Sequence, residues 1–183
     1  MLEMSHVSFG YGLKRNILKD FSLSLPDGGR LCLQGASGAG KTSVLRLAMG
    51  LEKPRRGSVT LASGVRISAV FQEDRLLPGR SALENVALVS SRESAALWLG
   101  KFGITDPDTL PGMLSGGMQR RVALARAMAY GGELLILDEP FKGLDEALRE
   151  KVIREIRGVF PLTVVSTHDS SDAEDLNASV IRL

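Results

Sequence analysis

The chain has 183 residues, 44% of them hydrophobic and 24% charged, which is enough apolar material for one sizeable core in an ordinary soluble domain. Its 23 basic and 21 acidic residues leave a formal charge of +2, a balance that gives no reason to expect a nucleic-acid partner or a strongly basic membrane face. No apolar run reaches the roughly 18 to 20 residues that span a bilayer, and the N-terminus lacks a charged-then-apolar signal pattern, so the expected place is the cytoplasm.

Leu2 to Tyr11 and Ile17 to Leu25 alternate apolar and polar residues as half-buried strands do. Pro26-Asp27-Gly28-Gly29 reads as a turn, and Arg30 to Gln34 as a short apolar strand. The single Cys32 lies within that strand, where a buried small hydrophobe is expected rather than a reactive thiol. A glycine-rich loop and a helix from Thr42 to Met49 come next, followed by strands over Gly57 to Leu61 and Arg66 to Phe71. From Ser81 to Phe102 the pattern turns helical, and Ser81 and Glu84 have the spacing of a capping box. The remaining elements are a helix over Gly117 to Ala129, a strand over Leu134 to Leu137, a helix over Asp145 to Arg157, a strand over Leu162 to Ser166 and an edge strand within Ala178 to Leu183. Strands alternating with helices predict a mostly parallel sheet covered on both faces. The expected fold is α/β, with an antiparallel β subdomain at the N-terminus and a short helical subdomain inserted over about 73–118 of a single 1–183 domain.

Two motifs carry chemistry by themselves. Gly35-Ala36-Ser37-Gly38-Ala39-Gly40-Lys41-Thr42 is a phosphate loop lying between a strand and a helix, as its mechanism requires. Its glycines let backbone N–H groups turn inward around phosphates, and the following helix aims its positive end at the same anion. Gly35, Ser37, Gly38, Ala39, Gly40, Lys41, Thr42 and Ser43 are therefore the expected ATP-binding residues, with Lys41 on the outer phosphates and the Thr42 hydroxyl on Mg2+. The second motif is Asp138-Glu139-Pro140, at the end of an apolar strand where open α/β sheets bind their ligands. Asp138 is expected to hold the metal and Glu139 to act as general base toward water, with Pro140 keeping Glu139 extended toward the site.

Leu114-Ser115-Gly116-Gly117-Met118-Gln119-Arg120-Arg121 resembles the signature of ATP-binding cassette ATPases, and the resemblance covers nearly the whole chain. It implies that Tyr11 stacks on adenine, that Gln72 is the glutamine sensing Mg2+ and the γ-phosphate, and that His168, after the strand Leu162 to Ser166, is the switch histidine. It also implies a head-to-tail homodimer in which Ser115, Gly116 and Gly117 of one protomer close on the γ-phosphate held by the other. The helix after Ser115 has the free N–H groups and positive end suited to that task. Phe141-Lys142-Gly143-Leu144-Asp145 resembles the loop that crosses between protomers, and Asp145 is placed at the nucleotide with it. The departures are Lys142-Gly143 where Ser-Ala is frequent, Met118 in place of a glutamine, a helical lobe of roughly forty residues, and a chain that stops soon after His168.

The function that this resemblance implies is the ATP-hydrolysing motor of a membrane transporter, peripheral on the inner face of the membrane and coupled to a separate permease. Phe71-Gln72-Glu73-Asp74-Arg75-Leu76-Leu77-Pro78 resembles the corresponding segment in importers of nitrate, sulfonates and related small molecules, although Gly79 stands where those often have tryptophan. The apolar pair Leu76-Leu77 either plugs the gap between lobes or borders a groove for the permease. Two other function classes are weighed. A soluble cassette acting on nucleic acid or ribosomes usually carries a second cassette or long insertions, and this chain has neither. A catalytically silent interaction module is opposed by the intact Lys41, Asp138, Glu139 and His168.

Overall fold

The computed structural model describes residues 2–12 and 15–183. Three strands, β1 (Leu2–Phe9), β2 (Leu18–Leu25) and β4 (Arg56–Leu61), form an antiparallel sheet in the order β2-β1-β4. Five others, β3 (Arg30–Gln34), β5 (Ile67–Val70), β6 (Leu134–Asp138), β7 (Leu162–Thr167) and β8 (Ser179–Arg182), form a parallel sheet in the order β5-β6-β7-β3-β8. The helices are α1 (Lys41–Ala48), α2 (Ala82–Ala87), α3 (Arg92–Lys101), α4 (Gly116–Tyr130), α5 (Glu146–Val159) and α6 (Ser171–Asp175).

The parallel sheet is a wall between two cores. Successive side chains on a strand point to opposite faces, so a strand buried on both sides must be apolar at every position. Leu134 and Ile136 join Leu31, Leu33, Val164, α1 and the antiparallel strands on one face. Leu135 and Leu137 join Cys32, Val165 and the helices α2 to α5 on the other. Burial there pushes the Cys32 thiol up to about 11, which makes it the inert hydrophobe expected from the sequence.

The segment from Ser81 to Phe102 is two helices rather than one. The Ser81 hydroxyl accepts from Glu84 N–H at 3.2 Å and the Glu84 carboxylate accepts from Ser81 N–H at 2.8 Å, closing the expected capping box at the start of α2. A second cap interrupts the helical run, because Ser91 adopts an extended backbone and accepts from Ser94 N–H to start α3. Helix α6 was not predicted; five residues are too few to show a period, and it is held in place by side-chain pairing instead.

Candidate nucleotide site

The parallel register brings four strand ends to one edge. Gln34 lies opposite Thr167, Asp138 opposite Ser166, and Val70 opposite Leu137, so the segments following β3, β5, β6 and β7 emerge together. The phosphate loop follows β3, Gln72 lies just beyond β5, Asp138-Glu139 closes β6 and His168 follows β7. This is where open parallel sheets bind ligands.

Gly40 caps α1 at φ 109°, a conformation that favours glycine, and a Cβ there would lie 3.0 Å from the side chains of Ile17 and Leu18. Lys41 is 6% exposed, and its Nζ donates to the carbonyls of Gly35 at 2.7 Å and Ala36 at 3.1 Å. The ammonium is thus kept inside the loop. Thr42 Oγ1 donates to Asp138 Oδ2 at 2.8 Å, which unites two of the three groups expected at Mg2+. The other Asp138 oxygen accepts from Ser166 Oγ. Among the described residues, no cluster of three His, Cys, Asp or Glu forms a metal cage. One carboxylate, one hydroxyl and the phosphates themselves fit the way Mg2+ is held in ATPases.

Glu139 departs from its expected conformation. It lies at φ 49°, in the left-handed region, and not in an extended one. Its N–H donates to Ser166 O at 3.0 Å, bending the chain at the strand end, and its Oε1 meets His168 Nε2 at 2.6 Å. Such a conformation costs a non-glycine residue about 1–3 kcal/mol and persists where the surroundings over-determine it. Glu139 and His168 are thereby paired.

A cavity of about 310 Å³ is lined by Tyr11, Ser37, Gly38, Lys41, Thr42, Ser43, Gln72 and Glu139 among others. Tyr11 is 42% exposed; its ring meets Phe9 edge-on at 5.0 Å, and Ser43 Oγ lies 3.4 Å from its hydroxyl. A second cavity, about 640 Å³, shares Ser37, Gln72 and Glu139 with the first and extends past His168 to Phe141, Lys142 and Arg149. Gly35 and Ala39 belong to the loop that frames the first cavity; Gly35 lies beside the Leu183 carbonyl and Ala39 N–H donates to Ala36 O.

The signature residues lie elsewhere. Ser115 caps α4 by accepting from Met118 N–H at 3.2 Å, and Ser115, Gly116 and Gly117 line neither cavity. A Cβ on Gly117 would approach the Gly143 carbonyl to 2.7 Å, so the signature helix and the 141–145 loop touch backbone to backbone. Asp145 caps α5, with its Oδ1 accepting from Leu148 N–H at 2.9 Å.

Three residues that hold the site were not singled out from sequence. Ser166, buried on β7 opposite Asp138, bonds both strand-end acids. Arg120, 6% exposed, donates to the carbonyls of Phe71 at 2.7 Å and Gln72 at 2.6 Å, and lies 3.1 Å from Asp74. Arg126 donates to the carbonyls of Asp74 and Arg75. The signature helix thus grips the segment that carries Gln72. Burial pushes the Asp74 carboxyl upward, opposed by the charges of Arg120 and Arg126.

A strand–loop–helix phosphate cradle with a carboxylate, a hydroxyl and a histidine-paired acid at its mouth defines a P-loop nucleoside-triphosphatase cassette. Residues 18–142 match the family model described as ABC transporter. Over 181 residues the chain is 38% identical to the aliphatic sulfonates import ATP-binding protein SsuB 3 of Pseudomonas syringae pv. syringae, covering 91% of this chain and 67% of that protein. It is also 38% identical to SsuB 1 of Rhodococcus jostii, covering 91% of this chain and 73% of the relative. Among solved structures, the dimeric ATP-binding cassette MJ0796, in a post-hydrolysis state bound to ADP and Pi, superposes with a TM-score of 0.86 at 28% identity, over 100% of this chain and 94% of the other. The chain belongs to the ABC transporter family and is its ATP-binding, ATP-hydrolysing cassette. No helix among the described residues is long and apolar enough to cross a membrane.

Proposed function

We propose that the chain powers an importer of a small solute, working as a head-to-tail homodimer on the inner, cytoplasmic face of the membrane against a separate permease. The observation that carries this reading is the pairing of Glu139 with His168 at 2.6 Å beside a phosphate loop whose Thr42 already bonds Asp138. The names of the relatives support a small solute as cargo, and the dimeric cassette supports pairing of two copies.

Tyr11 stacks on the adenine, and Gly35, Ser37, Gly38, Ala39, Gly40 and Ser43 frame the phosphates with backbone and hydroxyl donors. Lys41 leaves its carbonyl partners to bind the outer phosphates and draw off their developing charge. Thr42, Asp138 and Gln72 hold Mg2+, which supplies charge neutralisation at the phosphate oxygens when bound. Glu139 accepts a proton from the attacking water, and His168 holds the carboxylate in place by its Nε2 contact. Ser115, Gly116 and Gly117 of the second protomer close on the γ-phosphate, with Asp145 and its loop at the same interface. Glu139→Gln keeps the shape and removes the base. Turnover should fall about 100-fold or more, and an ATP-bound dimer should accumulate on size-exclusion chromatography. A monomeric variant that hydrolyses ATP normally would rule out Glu139 as the base.

The structure divides Leu76 from Leu77. Leu76 packs against the helical core, whereas Leu77 is 44% exposed. A cavity of about 350 Å³ on the open edge of β5, lined by Phe71, Arg75, Val89, Arg126 and Tyr130, lies beside the segment that carries Gln72. A short permease helix docking at this face would feel any movement of Gln72 through Arg120 and Arg126. Leu77→Glu and Val89→Glu should reduce copurification with the permease while the soluble chain hydrolyses ATP normally. Undiminished copurification and transport would place the docking face elsewhere.

A further inference from the structure

Arg149 lies on α5, outside every motif that touches nucleotide, yet it is 9% exposed and spends its donors on one cluster. Its Nε and Nη2 donate to Asp172 Oδ1 at 3.0 and 2.6 Å. Nη2 also reaches Ser171 Oγ at 3.0 Å and Asp175 Oδ2 at 2.6 Å, and Nη1 reaches Glu146 at 3.1 Å. Asp172 is 2% exposed, and its second oxygen accepts from Thr167 Oγ1. That same hydroxyl oxygen accepts from Asp169 N–H at 3.0 Å. The residues on both sides of His168 are therefore clamped to one atom, and that atom is held by Asp172, which Arg149 fixes in turn.

The guanidinium also lies 5.7 Å from the centre of the Phe141 ring, two residues beyond Glu139. Arg149, Asp172, Glu139 and His168 all line the cavity of about 640 Å³. One side chain thus ties together the two segments that present the halves of the Glu139–His168 pair. A buried charged pair of this kind is weak evidence for added stability, because the cost of desolvation offsets much of the attraction, whereas a multidentate guanidinium fixes geometry well.

We propose that Arg149 is a positioning residue for hydrolysis: through Asp172 and Thr167 on one side and Phe141 on the other, it sets His168 against Glu139. The proposal rests on the assignment of Glu139 and His168 to the chemical step. Lysine keeps the charge of Arg149 and loses its fork. Arg149→Lys should therefore lower kcat about ten- to a hundredfold, leaving KM for ATP and binding of a fluorescent ATP analogue within about twofold of wild type. Asp172→Asn, which keeps the shape and weakens the grip of the guanidinium, should show the same split and serves if the lysine variant does not fold. The decisive reading is a double-mutant cycle in single-turnover assays with the full chain. In a His168→Ala background, Arg149→Lys should cause far less further loss than in the wild type, since the pair that it sets has already lost one member. Losses that multiply, or an Arg149→Lys enzyme with wild-type kcat beside an impaired His168→Ala, would overturn the role of Arg149 alone. Normal turnover by His168→Ala would overturn the assignment of the histidine and this proposal with it.

Discussion

The edge of the parallel sheet and the start of the signature helix differ in how far one chain completes them. At the sheet edge the chemical groups are already in contact: Thr42 with Asp138, Glu139 with His168, Lys41 with the loop carbonyls. At the start of α4 the capped Ser115 and its glycines line neither cavity, and Gly117 lies against the backbone of Gly143. Register explains the contrast. Parallel pairing brings distant residues to one line with no choice of rotation, whereas a helix is placed by the packing of its side chains.

The largest effect should come from the prebuilt side. Lys41→Ala removes the buried cation of the phosphate loop, and among the described residues no other lysine or arginine lines the cavity it serves. ATP turnover should fall about 100- to 1,000-fold, measured as phosphate release with saturating Mg2+. Near-normal release would show that the loop does not set the chemistry.

An intermediate effect should follow at the braced side. A Cβ added by Gly117→Ala meets the Gly143 carbonyl at 2.7 Å, so either α4 or the 141–145 loop must shift. Overpacking of this kind costs about 1–3 kcal/mol, which lowers the melting temperature by about 2–4 °C per kcal/mol in a chain of this size. ATP binding by the isolated chain should persist, since Gly117 does not line the nucleotide cavity. Lost binding would mean that the two regions are not separable.

The smallest effect concerns the lobe itself. Ser81→Ala removes one half of the capping box and should cost about 1 kcal/mol, read as a small drop in melting temperature with unchanged ATP turnover. A change in turnover without a change in stability would tie the start of α2 to the chemistry directly.

Much of this was legible in the sequence because spacing dictates it. The phosphate loop, Asp138 at the end of β6 and the cap at Ser81 are local patterns with a physical reason at each position, and the structure places them as expected. The misses are nonlocal or too short. Ser166 becomes a site residue only through the register of β7 with β6, and Arg120 only because α4 packs beside the end of β5. The restriction before proline does not reveal the left-handed turn at Glu139, because a backbone bond to Ser166 and the contact with His168 hold a conformation that the local sequence alone does not favour. The capping serine inside the Ser81 to Phe102 run was legible in principle, since Ser91 is followed by Glu93 within a helical pattern.

One buried amide governs the course of the segment that leads from Gln72 into the lobe. Asn85 is fully buried; its Oδ1 accepts from Leu77 N–H at 2.7 Å, and its Nδ2 lies 3.1 Å from Leu77 O, 2.8 Å from Arg80 O and 3.0 Å from Ser81 O. The turn is therefore anchored by its main chain, and none of these bonds involves the half-exposed side chain of Leu77. A lineage of such motors can rewrite that exposed side chain while the path of the backbone is inherited intact.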